Sequence, residues 1–89
     1  MKLKYKFIIN DVANQKVAVA VGEGLTKFNG FIKMNDVGAS IFSKLSDEIT
    51  MEDLIDQMAK DYPDEPMETV DRCVKEFVEK LKGANLIAE

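Results

Sequence analysis

The sequence predicts an α+β domain, a three-stranded antiparallel sheet followed by three helices in the order β-β-β-α-α-α. Two changes in pattern carry that prediction. Up to Met34 the apolar residues alternate with a period of two; after it they recur at three and four. Asn35 and Asp36 stand at the change, a helix N-cap with an acid near the positive helix end. A third observation bounds the size. The chain has 89 residues, 46% hydrophobic and 31% charged, without repeats or low-complexity stretches, so residues 1–89 are read as a single domain.

Leu3, Tyr5, Phe7 and Ile9 alternate and read as one first strand, followed by turn formers between Asn10 and Gln15. In Lys16–Val21, valines 17, 19 and 21 share one face and alanines the other, which suits a sheet covered on one side. A glycine-bearing connection, "GEGLTKFNG", then ends in the hairpin dipeptide Asn29-Gly30. Phe31–Met34 is the third strand, with Phe31 and Lys33 on one face and Ile32 and Met34 on the other.

Val37, Ile41, Phe42 and Leu45 mark the first helix, which "SDEI" closes. Thr50 with Asp53 three residues on is a near capping box for the second, whose apolar stripe is Leu54, Ile55, Met58, Ala59 and Tyr62, ended by Pro63. Pro66 opens the third helix, with Met67, Val70, Val74, Phe77 and Leu81 as its core seam and Gly83 as its C-terminal cap. Leu86 and Ile87 are expected to fold back onto the core.

Catalytic equipment is missing. Without a histidine the commonest general base and metal ligand are gone, and the one cysteine, Cys73, has no such base to activate it. "GEG" lacks the spacing of a phosphate loop. The acids Glu52, Asp53 and Asp56, and Asp61, Asp64 and Glu65 around Pro63, read as solvated helix faces rather than a cation site, and "DYPDEP" lacks a calcium-loop ladder. A non-enzyme with no cofactor is expected. Net charge is −4, against the basic footprint of a nucleic-acid binder. No apolar run approaches a membrane span, no secretory signal pattern is present and one cysteine makes no disulfide framework, so a cytoplasmic location is expected.

Function is therefore sought in surfaces. As the last strand of a consecutive antiparallel sheet, Phe31–Met34 is an edge protected by one lysine only, where proteins usually place charge or proline. Beside it, Cys73 and Val78 widen the apolar stripe of the third helix on its two flanks. The two elements make a groove in which an extended peptide can add a strand. Backbone pairing is expected along Gly30, Phe31, Ile32, Lys33 and Met34, with side-chain contacts from Phe31 and Lys33. Cys73, Phe77 and Lys80 are expected to form the opposite wall, and Arg72, Lys75, Lys80 and Lys82 to steer an acidic peptide. A proline at Ile32 would remove a ladder donor if that N–H faces outward. The edge could also pair two copies of the chain into a homodimer, and the "GLTKF" loop could instead cover Phe31.

The residues from Val17 to Ile87 resemble the PqqD family, the peptide chaperones of pyrroloquinoline quinone biosynthesis and their relatives. Met34 and Asn35 end a strand, Gly38 is a small residue in the first turn, and Ile41 and Leu45 follow. Thr50, Asp53, Leu54 and Ile55 start the next helix, and Tyr62 lies near its end. "VDRCVKEFVEKLKGANLI" is similar to the family's last helix and ending. Two positions depart from the pattern: Ser46-Asp47-Glu48 replaces an Asp-Gly pair, and Asn85 stands where glycine usually precedes the final Leu-Ile. The resemblance implies a winged-helix-like fold and the role of a RiPP recognition element. Such a domain binds the leader of a ribosomally made precursor peptide along the third strand and third helix. It then presents it to a modifying enzyme, often a radical S-adenosylmethionine enzyme. Two rival readings are a winged-helix DNA-binding regulator, which needs a basic recognition helix, and a structural subunit of a larger enzyme.

Overall fold

The computed structural model describes residues 1–22 and 30–88. The elements are β1 (Lys2–Leu3), β2 (Phe7–Val12), β3 (Gln15–Ala20), β4 (Phe31–Met34), α1 (Asp36–Lys44), α2 (Met51–Asp61), α3 (Met67–Gly83) and β5 (Ile87–Ala88). β2, β3 and β4 form an antiparallel sheet in that order, and β1 pairs with β5 in a separate two-stranded ribbon. The α+β class, the three-stranded sheet and the three helices are those the sequence predicts. The connection from Glu23 to Asn29, with its hairpin dipeptide and any cover it gives Phe31, lies outside the described residues.

The predicted first strand is two strands. Its alternation runs unbroken from Leu3 to Ile9, but the chain changes sheets between Lys4 and Lys6. The Leu3 and Lys4 N–H groups donate to Leu45 and Leu86 carbonyls at 2.9 Å, whereas the Lys6 carbonyl already accepts from Val21 of the main sheet. A period-two pattern continues through such a switch because inward and outward sides are kept. The turn after β2 is also tighter than the Asn10–Gln15 stretch suggested. Strand pairing runs to Val12 opposite Gln15, leaving a two-residue loop in which Ala13 (φ 50°) and Asn14 (φ 66°) are both left-handed. That is the signature of the primed turn whose twist suits a hairpin.

The alanine face of β3 is the buried one: Ala18 and Ala20 are fully buried, together with Met34 and, partly, Phe7, Ile9 and Ile32. Their small side chains let α1 lie close, with Ile41, Phe42 and Leu45 fully buried and the Phe7 and Phe42 rings edge-to-face at 5.0 Å. Among the described residues no element covers the opposite face of the sheet, which carries the cross-strand row Ile8–Val19–Phe31. Outside the core, the Lys16 ammonium is paired with Asp11 across the hairpin. That hydrogen bond raises its pKa from the ordinary lysine value.

The first two helices start as their cap chemistry dictates, whereas α3 follows Pro66 without a side-chain cap. The Asn35 side chain accepts from the Gly38 N–H at 2.8 Å, and Thr50 Oγ1 accepts from the Asp53 N–H at 3.1 Å. On α3 the core seam differs from the predicted one. Val70, Val74, Val78 and Leu81 are buried, Phe77 is half-buried and Met67 is 52% exposed. The inward stripe thus runs at spacings of four, four and three, which takes Val78 into the core and turns Phe77 to its flank.

Gly83 is not the cap. Helix α3 runs through it, and the left-handed residue is Asn85 (φ 62°). The Leu86 N–H donates to the Leu81 carbonyl at 3.0 Å and the Asn85 N–H to that of Lys82 at 2.9 Å, the bond pair of a Schellman motif. Asn85 does the work of the glycine it replaces in the family pattern, and its turn delivers buried Leu86 and Ile87 to the core and to β1. A Cβ at Gly83 meets nothing within 4 Å. Gly83→Ala is therefore expected to stabilise the domain by about 0.5–1 kcal/mol in urea denaturation; a loss of stability would place the cap at Gly83 after all.

Candidate functional site

The β4 edge is defined by hydrogen-bond parity. In a two-residue hairpin the closing pair, here Val12 and Gln15, exchanges hydrogen bonds, and the bonded pairs then alternate along the strands. Odd-numbered residues of β3 therefore face β2, and the Val21 N–H, which donates to the Lys6 carbonyl at 3.0 Å, keeps that parity. Even-numbered residues face β4, where Lys16 opposes Met34 and Ala18 opposes Ile32. The inward groups of β4 thus belong to Ile32 and Met34, and the groups left open on its edge belong to Phe31 and Lys33. This corrects the expectation for Ile32: its N–H serves the sheet's own ladder, so a proline there would damage the fold rather than report on a guest.

Opposite the edge stands α3. Ile32, Lys33 and Met34 face Phe77, Lys80 and Leu81 across a cleft of about 340 Å³, closed at one end by Ala84 and Leu86. A second cavity of about 250 Å³ continues from it over the start of α1, reached past Asn35, Phe77 and Lys80 and lined further by Gly38, Cys73 and Glu76. Of the residues predicted to act together, Ile32, Lys33, Met34, Phe77 and Lys80 meet in the first cleft, and Cys73 joins Phe77 and Lys80 in the second. Gly30 and Phe31 lie outside both linings. Gly30 is exposed just before β4, and Phe31 is 59% exposed on the outer sheet face, with the Lys33 ammonium 5.9 Å from its ring centroid.

The junction between strand and helix sets the shape of the groove. Asn35 is still extended (φ −83°, ψ −179°), so β4 passes into α1 without a linker. A Cβ built on Gly38 would come within 3.0 Å of Phe77 Cε1 and 3.1 Å of Met34 Cβ. Glycine lets the Phe77 ring rest on the first turn of α1 without the crowding a Cβ would bring there. Asn35 and Gly38 are among the groove residues that spacing alone did not assign to it. Asn35 was legible only as a cap, and the contact made by Gly38 crosses 39 residues of sequence.

The rim carries Lys33 and Lys80 beside the edge and Glu76 further along. Lys44 is engaged elsewhere, with Asp61 Oδ2 at 2.7 Å, joining α1 to α2. Among the described residues no three His, Cys, Asp or Glu side chains are grouped to hold a metal ion, and no helix is long and apolar enough to cross a membrane.

Comparison with known proteins agrees with the fold. The sequence model of the family described as "Coenzyme PQQ synthesis protein D (PqqD)" matches residues 15–87. No curated protein matches the chain. Among solved structures, "TbiB1 in Complex with the TbiA(beta) Leader Peptide" superposes with a TM-score of 0.69 at 21% identity, covering 100% of both chains.

Two outcomes are expected from the free protein. In amide exchange, Phe31 and Lys33 should exchange fast and Ile32 and Met34 slowly; the reverse order would shift the sheet register by one. Gly38→Ala should destabilise the domain by about 1–3 kcal/mol through overpacking, and it should move the Phe77 ring resonances more than those of Phe42.

Proposed function

The chain belongs to the PqqD family, and from that membership we propose that it binds the leader of a ribosomally synthesised precursor peptide by strand addition to β4. The observation that carries this reading is the open backbone of Phe31 and Lys33 beside a cleft walled by Phe77 and Lys80. The domain then acts without chemistry of its own, as a chaperone within one domain that holds the peptide for a modifying enzyme. A radical S-adenosylmethionine enzyme in the cytoplasm is the partner the family resemblance implies. TbiB1, which has the same fold, was solved with a leader peptide.

Magnitudes show what the edge contributes. Two outward residues offer two donors and two acceptors, and four backbone bonds are worth roughly 2–6 kcal/mol net. Association itself costs about 4–15 kcal/mol. Backbone pairing thus fixes register and direction, while affinity has to come from apolar side chains in the groove, each worth about 1.5–3 kcal/mol when buried. Lys33 and Lys80 favour acids near the paired segment. The same edge accommodates a second copy of the chain, and a leader would compete with that homodimer.

The regulator reading finds no support in α3, where Glu68, Asp71, Glu76 and Glu79 offset Arg72, Lys75, Lys80 and Lys82 and leave no basic face for phosphates. The test uses the leader of the short peptide encoded beside the gene. Titrated into labelled protein, it should shift and protect the Phe31 and Lys33 amides saturably. Lys33→Pro removes an outward donor at an edge position that tolerates proline, so the fold should persist while affinity drops about tenfold or more. Unchanged affinity in a folded Lys33→Pro protein would rule out pairing at β4, and enzyme binding without peptide affinity would leave a scaffold.

A further inference from the structure

The sheet has a second edge. β2 ends the strand order opposite β4, and among the described residues no strand pairs with its outer side. The parity set by the Val12–Gln15 turn directs the N–H and C=O groups of Ile8, Asn10 and Val12 toward β3, so those of Ile9 and Asp11 point away from the sheet. Space adjoins this edge: a cavity of about 240 Å³ lies on its inner side, walled by Leu3, Phe7, Ile9, Phe42, Ser43 and Ser46. The side chains of β2 do little to protect it. Proline is absent, the Asp11 carboxylate is already paired with Lys16, and Ile8 and Val12 are 52% and 55% exposed on the outer face. With Phe31 and Met67 they are the exposed large apolar side chains among the described residues.

We propose that β2 pairs with β2 of a second copy of this chain, antiparallel about a two-fold axis at Asn10, to make one six-stranded sheet. The residues choose the register. With the axis at Asn10, Ile9 exchanges two hydrogen bonds with Asp11 of the second copy, and Asp11 two with its Ile9. Ile8 then lies opposite Val12 of the second copy on the outer face, and Val12 opposite its Ile8, so each exposed apolar side chain covers the other. Centring on Ile9 would instead set Val12 against Lys6, Ile8 against Asn10 and Phe7 against the Asp11 carboxylate. The order apolar, polar, apolar at positions 8, 10 and 12 is its own complement only about its middle, which is the isologous geometry of a two-fold dimer. The row Phe31–Val19–Ile8 thereby runs on into Val12 of the second copy. Charge disfavours β4 for this purpose. Pairing β4 with itself about Ile32 would gather two copies each of Lys33 and Lys80 at one seam, whereas Asp11 beside the β2 seam is already neutralised by Lys16. With the second copy on β2, both β4 edges stay open at the two ends of the joined sheet. The dimer does not depend on leader binding, and a leader would not displace it.

A seam of one strand pair is small, so the dimer is a weak one, with a dissociation constant on the order of 0.1–1 mM. Sedimentation equilibrium of the full chain, from about 10 μM to about 1 mM, is expected to show a mass rising from monomer toward dimer. Ile8→Lys and Val12→Glu, both at exposed positions, should each weaken the association about tenfold or more. Combined in one chain they should restore it, because the new lysine of one copy faces the new glutamate of the other, a recovery no other register gives. A second readout needs no charge. Opposed residues of a non-bonded pair lie about 4.5 Å apart at Cα, within disulfide reach. Asn10→Cys in a Cys73→Ser background should therefore oxidise to a covalent dimer about tenfold faster or more than Gln15→Cys, which shares the outer face but lies off the axis. The leader peptide encoded beside the gene, at a concentration that saturates the Phe31 and Lys33 amide shifts, should leave the mass unchanged. A monomer at every concentration overturns the proposal. So does association that survives both single substitutions, or that the leader dissolves, which would place the second copy on β4. A leader that moves neither amide bears on strand addition alone.

Discussion

The register fixed by one two-residue turn determines what this domain can offer a partner. Ala13 and Asn14 both adopt positive φ, which joins β2 to β3 with Val12 opposite Gln15. From that pair the alternation of hydrogen bonds passes across β3 to β4 and leaves Phe31 and Lys33, among the described residues, without a ladder partner on the edge. The same register puts Ala18 and Ala20 against the helices and Val17 and Val19 on the open face. A slip of one residue would exchange every one of these assignments, exposing the alanines, turning Val17 and Val19 inward and reversing the open edge. The zero exposure of Ala18 and the close fit of Phe42 over that face are what make the slip costly.

The direct passage from strand to helix at Asn35 then brings the edge and the groove together. With an intervening loop, β4 would end apart from α1 and the trench would be interrupted. Because Asn35 remains extended while its side chain caps the Gly38 N–H, strand edge and helix start form one continuous wall. Gly38 completes it by admitting the Phe77 ring where a Cβ would be crowded at about 3.0 Å. The half-exposed Phe77 is the counterpart of that arrangement: α3 satisfies the core with Val70, Val74, Val78 and Leu81, so Phe77 remains available to the groove.

What could be read in the sequence divides along the same physical line. Period and caps are local, so the third strand, the three helix starts and the buried stripe of α2 were legible from Phe31–Met34, Asn35, Thr50 and Pro66. Phase and partner choice are not local. Alternation from Leu3 to Ile9 could not disclose that the chain changes sheets at Lys4–Lys6, since its partner β5 lies more than 80 residues away. Nor could spacing decide between Phe77 and Val78, both compatible with an apolar stripe until α1 and α2 fix the rotation of α3. The cap at Asn85 was hidden by a glycine two residues earlier, in a position where glycine is only tolerated. The edge and the opposing helix were anticipated as elements of a groove; which backbone groups of the edge are free required the hairpin's pairing.

That alternation also explains how a peptide can be held and still be accessible. On β4, Ile32 and Met34 turn toward the trench and core, while Phe31 and Lys33 turn to the outer face. A guest strand in register inherits the same division. One set of its side chains enters the trench, and the other is displayed next to Phe31, in line with Val19 and Ile8 on the side of the sheet that the helices leave uncovered. Helix-in-groove binding would bury the guest on the side of its anchors and fix its reactive region by a rigid helix. Strand addition leaves the residues beyond the pairing free to extend away from the domain. For a protein with no histidine, a backbone edge that sets register beside an apolar groove can hold one face of a peptide and leave the other open without any catalytic group.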